Sequence, residues 1–249
     1  MLKSWPERAK DIAAGAFGCG ALQKRCELAE LVEILGEQAP LRRVLEIGGQ
    51  HGGTLWAWDQ IMLRPGLLVC IDMFVLEGRL RNAIDVEFTH IEADSHLDSS
   101  REYVKTLLAG ELLDFLFIDG DHSYEGVRRD FEMYAPLVRP GGIVALHDVS
   151  VQQPARVRAI HDVVPYWHQL EGLFESEEIF DPSERWGGIG VLYMPADPAK
   201  CAAYMAHAVE MGAPTDEQRV ATVPLNEPCL GCGEQLAAGE DVLCRACAV

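Results

Sequence analysis

The stretch from Leu112 to Val149 constrains the fold of this chain more than any other. Within it, Leu113 to Ile118 is a nearly continuous apolar run, typical of a strand that is buried on both faces of a parallel sheet. The apolar residues from Tyr124 to Leu137 have helical spacing, and Ile143 to Leu146 is predicted as the next buried strand. Pro140 to Gly142 should end this helix and turn the chain into the second strand. The stretch therefore predicts a strand–helix–strand unit.

Titratable side chains follow both strands of this unit at their carboxyl ends. They are Asp119, Asp121 and His122 after the first strand, and His147 and Asp148 after the second. In open α/β sheets, ligands bind in the crevice at these strand ends. The alternative is that they are solvated loop ends, because loops collect Asp and His. We expect the five groups to meet around one crevice.

A glycine-rich turn follows an earlier strand, Val44 to Ile47. Such a turn between a strand and a helix lets a ligand approach the backbone beside a helix N-terminus. The order is Glu46, Gly48, Gly49, Gly52 and Gly53, which does not match the G-x-G-x-x-G of dinucleotide-binding folds. It matches E-x-G-x-x-x-G, although a tight turn without a ligand is the alternative.

The alternation of strands and helices continues beyond this turn. Leu67 to Ile71 is a second apolar run and ends in Asp72, where an acidic residue suits hydrogen bonds to ribose hydroxyls. Phe88 to Ile91 is a third short strand, followed by an Ala93-Asp94-Ser95 segment. This alternation predicts an α/β fold with a doubly wound parallel sheet.

Residues 43–149 resemble the class I S-adenosylmethionine-dependent methyltransferases. The similarity is greatest to a group that includes catechol-type and macrolide-sugar O-methyltransferases and the cephalosporin-pathway methyltransferase. It rests on LEIGGQHGG, CIDM, IEADSH and FIDGDHSYEGVRRDFEMYAPLVRPGGIVALHD. The resemblance implies a seven-stranded Rossmann-like sheet of order 3-2-1-4-5-7-6 with strand 7 antiparallel. Its last two strands would lie at Ile179 and at Gly188 to Met194, after a helix from Ala155 to Leu170 that Pro165 should kink or split.

The resemblance also implies roles for individual residues. S-adenosylmethionine would be held by Glu46, Gly48, Gly49, Gly52, Asp72, Ala93, Asp94, Ser95 and Asp119. The catalytic residues would be His122, as general base, with Asp119 and Asp148. In metal-dependent members the positions of Asp119, His147 and Asp148 bind a divalent cation. Here His147 replaces the usual acid, and imidazole suits Mg²⁺ less well than transition metals. Assistance by Mg²⁺, Mn²⁺ or another divalent cation and a metal-free site are both open.

The implied activity is methyl transfer to a hydroxyl of a small molecule, either a sugar or a natural-product intermediate. An alcohol is a poor nucleophile at neutral pH, so a base within hydrogen-bond reach is needed, or a cation that lowers the hydroxyl pKa. The alternative is a non-catalytic S-adenosylmethionine-binding module whose tail docks a protein partner.

The C-terminal tail carries two C-x-x-C pairs, Cys229 with Cys232 and Cys244 with Cys247, separated by eleven residues. Four thiolates at this spacing predict a small zinc knuckle with a structural Zn²⁺ ion, with disulfides as the alternative. We divide the chain into a helical lead-in (1–40, with a first helix from Leu22 to Leu35), a methyltransferase domain (41–212), a linker (213–228) and a zinc-ribbon-like module (229–249).

Charge and hydropathy limit the partners. The net charge of −18 disfavours a nucleic acid or an anionic membrane surface, because both bind clustered Lys and Arg. The sequence has no apolar run of the ~20 residues that a membrane span needs, and its first residues do not resemble a signal peptide. We therefore expect a cytoplasmic protein with a small-molecule substrate, and either a homo-oligomer or a protein partner bound through the tail.

Overall fold

The computed structural model of the chain describes residues 3–38, 40–76, 83–150, 162–183 and 187–211. Strands and helices alternate through most of these residues. The described helices are α1 (Trp5–Gly18), α2 (Arg25–Glu37), α3 (Gly53–Ile61), α4 (Asp98–Leu108), α5 (Tyr124–Tyr134), α6 (Val164–Glu171) and α7 (Pro198–Glu210). The strands are β1 (Arg43–Ile47), β2 (Leu67–Asp72), β3 (Glu87–Glu92), β4 (Leu113–Ile118), β5 (Val138–His147), β6 (Glu175–Ile179) and β7 (Ile189–Tyr193).

The seven strands form one sheet in the order β3-β2-β1-β4-β5-β7-β6. Strands β1 to β5 pair in parallel, whereas β7 runs antiparallel to both β5 and β6. The strand order and the antiparallel seventh strand that the resemblance implied are therefore confirmed. Because the parallel strands end at one edge of the sheet, the residues after β1, β2, β4 and β5 lie close together there.

The centre of the sheet is covered on both faces. All six residues of β4 are buried, and separate apolar clusters pack on the two faces of the sheet. On one face the Trp58 ring of α3 meets Phe115 and Phe117 edge-on, at centroid distances of 5.2 and 5.5 Å. A strand buried in this way needs apolar residues at every position, which explains the continuous run in the sequence.

Strand β5 begins earlier than predicted. Pro140 to Gly142 lie within it, so the predicted turn at these residues is wrong. The pairing with β4 shifts register between Leu113 and Phe115, and Gly141 adopts a φ of 70°. This irregularity accommodates the proline and the glycines within the strand. From Ile143 onward β5 pairs regularly with β4.

The helix that precedes β6 starts at Val164, and Pro165 lies in its first turn. A proline there leaves no helical hydrogen bond unmade, so Pro165 begins the helix instead of kinking it. The first part of the predicted helix, residues 155–161, lies outside the described residues. The lead-in contains two helices, and its second helix starts at Arg25 instead of Leu22.

The predicted linker and zinc module, with Cys229, Cys232, Cys244 and Cys247, lie outside the described residues, and both remain predictions. Of the helices that the structure does describe, each is too short or too polar to cross a membrane.

Candidate active site

A cavity of about 790 Å³ opens at the carboxyl ends of the parallel strands. Most of the residues assigned to ligand binding or catalysis from the sequence line its wall. They are Gly48, Gly49, Asp72, Ala93, Asp94, Ser95, Asp119, His122, His147 and Asp148. The sheet topology therefore brings residues that are up to a hundred positions apart around one space.

The glycine turn lies against the end of β4. Gly48 has a φ of 87°, and a Cβ atom there would collide with the backbone oxygen of Asp119. The backbone N–H of Asp119 donates to the oxygen of Ile47 at 2.8 Å. Only glycine fits this conformation and approach, and the contact brings the turn beside the acidic group that follows β4.

Asp72 is held at the end of β2 by two backbone groups. Its carboxylate accepts hydrogen bonds from the N–H of Gln50 at 2.6 Å and from that of Phe74 at 2.8 Å. One donor belongs to the glycine turn and the other to the loop after β2. Each carboxylate oxygen can accept a second hydrogen bond, so Asp72 can still receive a pair of hydroxyl groups from a ligand.

Glu46 lies beneath the cavity and is not among the residues of its wall, and its contact with the cofactor stays a prediction. It is fully buried, and its carboxyl group accepts hydrogen bonds from the Thr54 hydroxyl and from Nε1 of Trp58, the latter at 2.6 Å. Both partners belong to α3, so Glu46 lies on the face of the sheet that α3 covers. Its neighbours in β1 point to the opposite face. Gly52 is not on the wall either, because it caps α3 with a φ of 80°.

Burial raises the pKa of Glu46 to about 8, although the hydrogen bonds from Thr54 and Trp58 oppose this. A raised pKa stabilises the fold below the pKa of the unfolded chain, near 4.5, and the stabilisation is lost as the pH rises through about 8. We expect Glu46→Gln, which keeps the shape but does not titrate, to flatten the pH dependence of the free energy of unfolding over this range. Denaturant unfolding at a series of pH values measures it.

Glu46→Ala is the control for this measurement. Like Glu46→Gln it should flatten the pH dependence, but at acidic pH it should lower the free energy of unfolding by about 2–4 kcal/mol, because it leaves a hole and two unpaired donors. Equal pH slopes for the wild type and Glu46→Gln would show that Glu46 is not neutral in the fold.

Two histidines and two aspartates form a cluster at one end of the cavity. Nε2 of His122 lies 3.2 Å from Oδ1 of Asp119, and its Nδ1 lies 3.2 Å from Oδ2 of Asp148. Nδ1 of His147 lies 3.1 Å from Oδ1 of Asp119 and 3.6 Å from Oδ1 of Asp148. Each imidazole therefore faces both carboxylates. Asp148, with a φ of 61°, turns the chain directly after β5.

The charges in this cluster support one another. Burial alone raises the pKa of Asp119, but the adjacent His147 and His122 outweigh it and hold that pKa well below the usual range. Burial lowers the pKa of His147, yet the two carboxylates raise it to about 9. The pKa of His122 is also raised, because Asp119 and Asp148 outweigh its burial. His147 is thus an imidazolium at neutral pH, and His122 titrates above the ordinary histidine value.

The cluster does not have the arrangement of a metal centre. Within the part of the chain that the structure describes, no group of three or more His, Cys, Asp or Glu residues is placed to hold a metal ion. Nδ1 is the nitrogen of His147 that lies nearest to the two carboxylates, at ion-pair distance, and a protonated imidazole has no lone pair for a metal. The side chains therefore fit an ion-paired cluster better than the divalent-cation site considered for Asp119, His147 and Asp148.

A second histidine–aspartate pair lies elsewhere on the wall. Nε2 of His96 is 3.3 Å from Oδ1 of Asp130 and 3.2 Å from the backbone oxygen of Gly126. Asp130 is fully buried, and its hydrogen bond raises the pKa of His96. This pair places the His96 imidazole next to Asp94 and Ser95, at the end of the cavity assigned to adenine.

The N-terminal lead-in also contributes to the wall, through residues that no motif in the sequence singled out. Gly20 to Gln23, between α1 and α2, line the cavity, and Nε2 of Gln23 donates to Oδ2 of Asp119 at 2.5 Å. Met73 and Phe74, after β2, also line it. The only sequence signal was the glycine at position 20, which marks a turn without indicating what that turn touches.

Both the sequence and the fold resemble known proteins. A family model described as a methyltransferase domain matches residues 45–149. A protein of Mycobacterium sp. (strain JLS), named as a candidate O-methyltransferase, is 30% identical over 164 residues, which is 63% of this chain and 67% of that protein. An uncharacterised protein of Acanthamoeba polyphaga mimivirus is 39% identical over 113 residues, or 42% of this chain and 50% of that protein. The matches thus span between half and about two thirds of these two relatives.

Solved structures resemble the chain at low sequence identity. MycE methyltransferase from the mycinamycin biosynthetic pathway, in complex with Mg, SAH and mycinamycin VI, has a TM-score of 0.53 and 16% identity, covering 83% of this chain and 57% of that one. A candidate O-methyltransferase from Klebsiella pneumoniae has a TM-score of 0.50 and 16% identity, covering 79% and 92%. At such identities the likeness concerns the fold alone.

Proposed function

Because the chain belongs to the S-adenosylmethionine-dependent methyltransferases, we propose that it methylates a hydroxyl group of a small molecule, with His122 as the general base. The observation that carries this proposal is the position of His122 between two carboxylates on the wall of the cavity. A base at that position can take the proton of an alcohol, and the carboxylates stabilise the imidazolium that forms.

The bound cofactor supplies an electrophilic methyl group on a sulfonium. The turn at Gly48 and Gly49 would receive its methionine part, Asp72 the ribose hydroxyls, and the Asp94 segment the adenine. These assignments fit the structure, because Asp72 is oriented by two backbone donors and retains capacity to accept more. Holding both reactants in one enclosed space supplies the proximity that an in-line displacement needs.

When bound, S-adenosylmethionine would supply its methyl group to the acceptor oxygen, and the electron pair of the broken carbon–sulfur bond would stay on sulfur. The acceptor's proton would move to a ring nitrogen of neutral His122, which must first turn away from the carboxylate that it faces in the structure. The resulting imidazolium can then turn back and donate to both Asp119 and Asp148. His147 remains charged throughout and keeps the two carboxylates from repelling each other.

This chemistry needs no divalent cation in our proposal. The buried imidazolium of His147 already lies between the carboxylates that would otherwise bind one. Metal-assisted transfer by the same residues is the alternative, and it predicts that chelation of the wild type stops turnover.

A small molecule with an apolar portion suits the cavity. Its volume of about 790 Å³ lies within the range of about 300–1,000 Å³ that is usual for small-molecule sites. Leu22, Met73 and Phe74 line it and are each more than 60% exposed, which gives the opening an apolar rim. The fold likeness to MycE, solved with mycinamycin VI, supports a natural-product acceptor.

The direct test is methyl transfer from S-adenosylmethionine carrying a radiolabelled methyl group. We expect label to appear in an ether product when the full chain is incubated with members of a panel of catechols, macrolides and methyl glycosides. Product analysis should place the methyl group on oxygen. Transfer to nitrogen or carbon would reject the proposed O-methylation, and no transfer to any member would reject this acceptor class.

Cofactor binding can be measured without an acceptor. S-adenosylhomocysteine should bind by calorimetry and raise the melting temperature by mass action. Asp72→Asn should weaken this binding about tenfold to a hundredfold, because it replaces a charged acceptor of hydroxyl hydrogen bonds. Asp98→Asn, at an exposed residue of α4, is the matched control and should leave the affinity unchanged. Wild-type affinity in Asp72→Asn would remove Asp72 from the cofactor site.

A further inference from the structure

Gln23 connects the N-terminal lead-in to the cluster formed by His122, His147, Asp119 and Asp148. It lies between α1 and α2, outside residues 45–149 that match the family model, and it is 6% exposed. Its Nε2 donates to Oδ2 of Asp119, while Oδ1 of the same carboxylate faces His122 and His147. Gln23 therefore occupies the one oxygen of Asp119 that neither histidine approaches at hydrogen-bond distance in the described contacts.

The orientation of the Gln23 amide follows from this contact. Turning the amide over would place its oxygen against a carboxylate oxygen, and two acceptors have no hydrogen to share. In the observed orientation Oε1 is buried without a hydrogen-bond partner among the described residues. A buried acceptor left unpaired destabilises a fold, so its presence calls for a compensating role. Donation to Asp119 is the role that the geometry offers.

The backbone beside Gln23 is packed closely against the start of α3. A Cβ atom on Gly53 would collide with the backbone nitrogen of Ala21, and Ala21 is itself buried. The N–H of Ala21 also donates to the oxygen of Ala16 at 3.0 Å. This packing fixes the segment relative to the glycine turn, so the Gln23 amide has little freedom to follow Asp119 if that carboxylate rotates.

We propose that Gln23 is a positioning residue that orients the Asp119 carboxylate and, through it, the rings of His122 and His147. One carboxylate oxygen is fixed by the amide, which directs the other toward both imidazoles. The geometry supports the contact itself, and its consequence for methyl transfer rests on the proposed function. The lead-in thus completes the catalytic cluster from outside the region shared with the family model.

The test uses Gln23→Met, which keeps a side chain of similar length but has no N–H to donate. We expect the ring ¹⁵N and ¹H resonances of His122 and His147 to shift in NMR spectra of the full chain. Gln38→Met, at an exposed glutamine just after α2, is the matched control and should leave these resonances in place. Gln23→Glu, which sets a carboxylate against Asp119, should displace them further and provides a second variant if Gln23→Met does not fold.

A double-mutant cycle then separates positioning from packing. In the Asp119→Asn background, Gln23→Met should cause much smaller changes than in the wild type, because the partner of its amide has altered. Unchanged histidine resonances in Gln23→Met and Gln23→Glu, or equal effects in both backgrounds, would overturn the proposal.

With an acceptor from the panel, Gln23→Met should lower kcat about tenfold or more while KM for S-adenosylmethionine changes less than about twofold. A raised KM with an unchanged kcat would place Gln23 in substrate binding and reject the positioning role. Absence of methyl transfer in the wild type would count against the proposed function, whereas the NMR and double-mutant results would still decide on Gln23.

Discussion

Replacing His122 with glutamine is expected to lower turnover about 10²-fold or more, the usual effect of losing a general base. Affinity for S-adenosylhomocysteine should be retained. The wild-type kcat/KM should rise with pH, because His122 must lose its proton before it can accept one from the substrate. The two carboxylates raise its pKa, so the midpoint of this rise should lie above the ordinary histidine value of about 6.5. His122→Gln should lose the rise.

The control for this experiment is His168→Gln, at a half-exposed histidine of α6 whose Nδ1 contacts Glu171 and which lies outside the cavity wall. It should retain wild-type turnover and pH dependence. Wild-type turnover in His122→Gln would reject the assigned base, and a residual rate that still rises with the same midpoint would assign the titration to another group.

Asp148→Asn should lower turnover about a hundredfold and move the pH–rate limb to lower pH. Oδ2 of Asp148 lies 3.2 Å from Nδ1 of His122 and helps to raise the pKa of that histidine. Without this charge His122 deprotonates at lower pH, but the imidazolium formed during transfer loses one of its two partners. The rising part of the pH–rate profile should therefore move to lower pH, while the maximal rate that it reaches falls. Kinetics from pH 5 to 10 would measure both effects.

Asparagine is the appropriate substitution because Asp148 has a φ of 61°, a conformation that asparagine adopts more readily than alanine. Asp98→Asn, at an exposed carboxylate of α4 outside the cavity wall, is the control and should leave both the rate and its pH dependence unchanged. The metal alternative makes a different prediction for the wild type. Loss of activity on chelation and recovery with Mg²⁺ or Mn²⁺, in a chain cut before the cysteine-rich tail, would reject the metal-free cluster.

The parallel strands were predictable because burial on both faces leaves a simple signature. Leu113 to Ile118 was predicted from its apolar run alone, and β4 has the same limits. The convergence of Asp119, His122, His147 and Asp148 followed from topology, since adjacent parallel strands end together. The order of the outer strands came from the family resemblance, because short runs such as Glu175–Ile179 carry little pattern of their own.

Other features depend on information that local patterns do not hold. The spacing of the glycine motif located the turn, but the face of β1 on which Glu46 lies decides whether it meets a ligand, and that face packs on Trp58. The contact between Gln23 and Asp119 joins residues 96 positions apart, and a glutamine before a helix has no distinctive spacing. His147 can either bind a metal cation or, when protonated, take the place of one between the carboxylates. The side-chain rotamers decide between these roles, and the sequence does not give the rotamers.

The outermost strand β6 has a consequence for association between copies of this chain. An edge strand presents unpaired backbone groups to which a second sheet can add. Three of the five residues of β6 are glutamates, and Tyr193 on the adjacent strand donates a hydrogen bond to one of them, Glu177, at 2.8 Å. Joining two copies along β6 would set rows of carboxylates about 5 Å apart, where like charges repel. The glutamates of β6 therefore oppose the addition of a second copy at this edge of the described sheet.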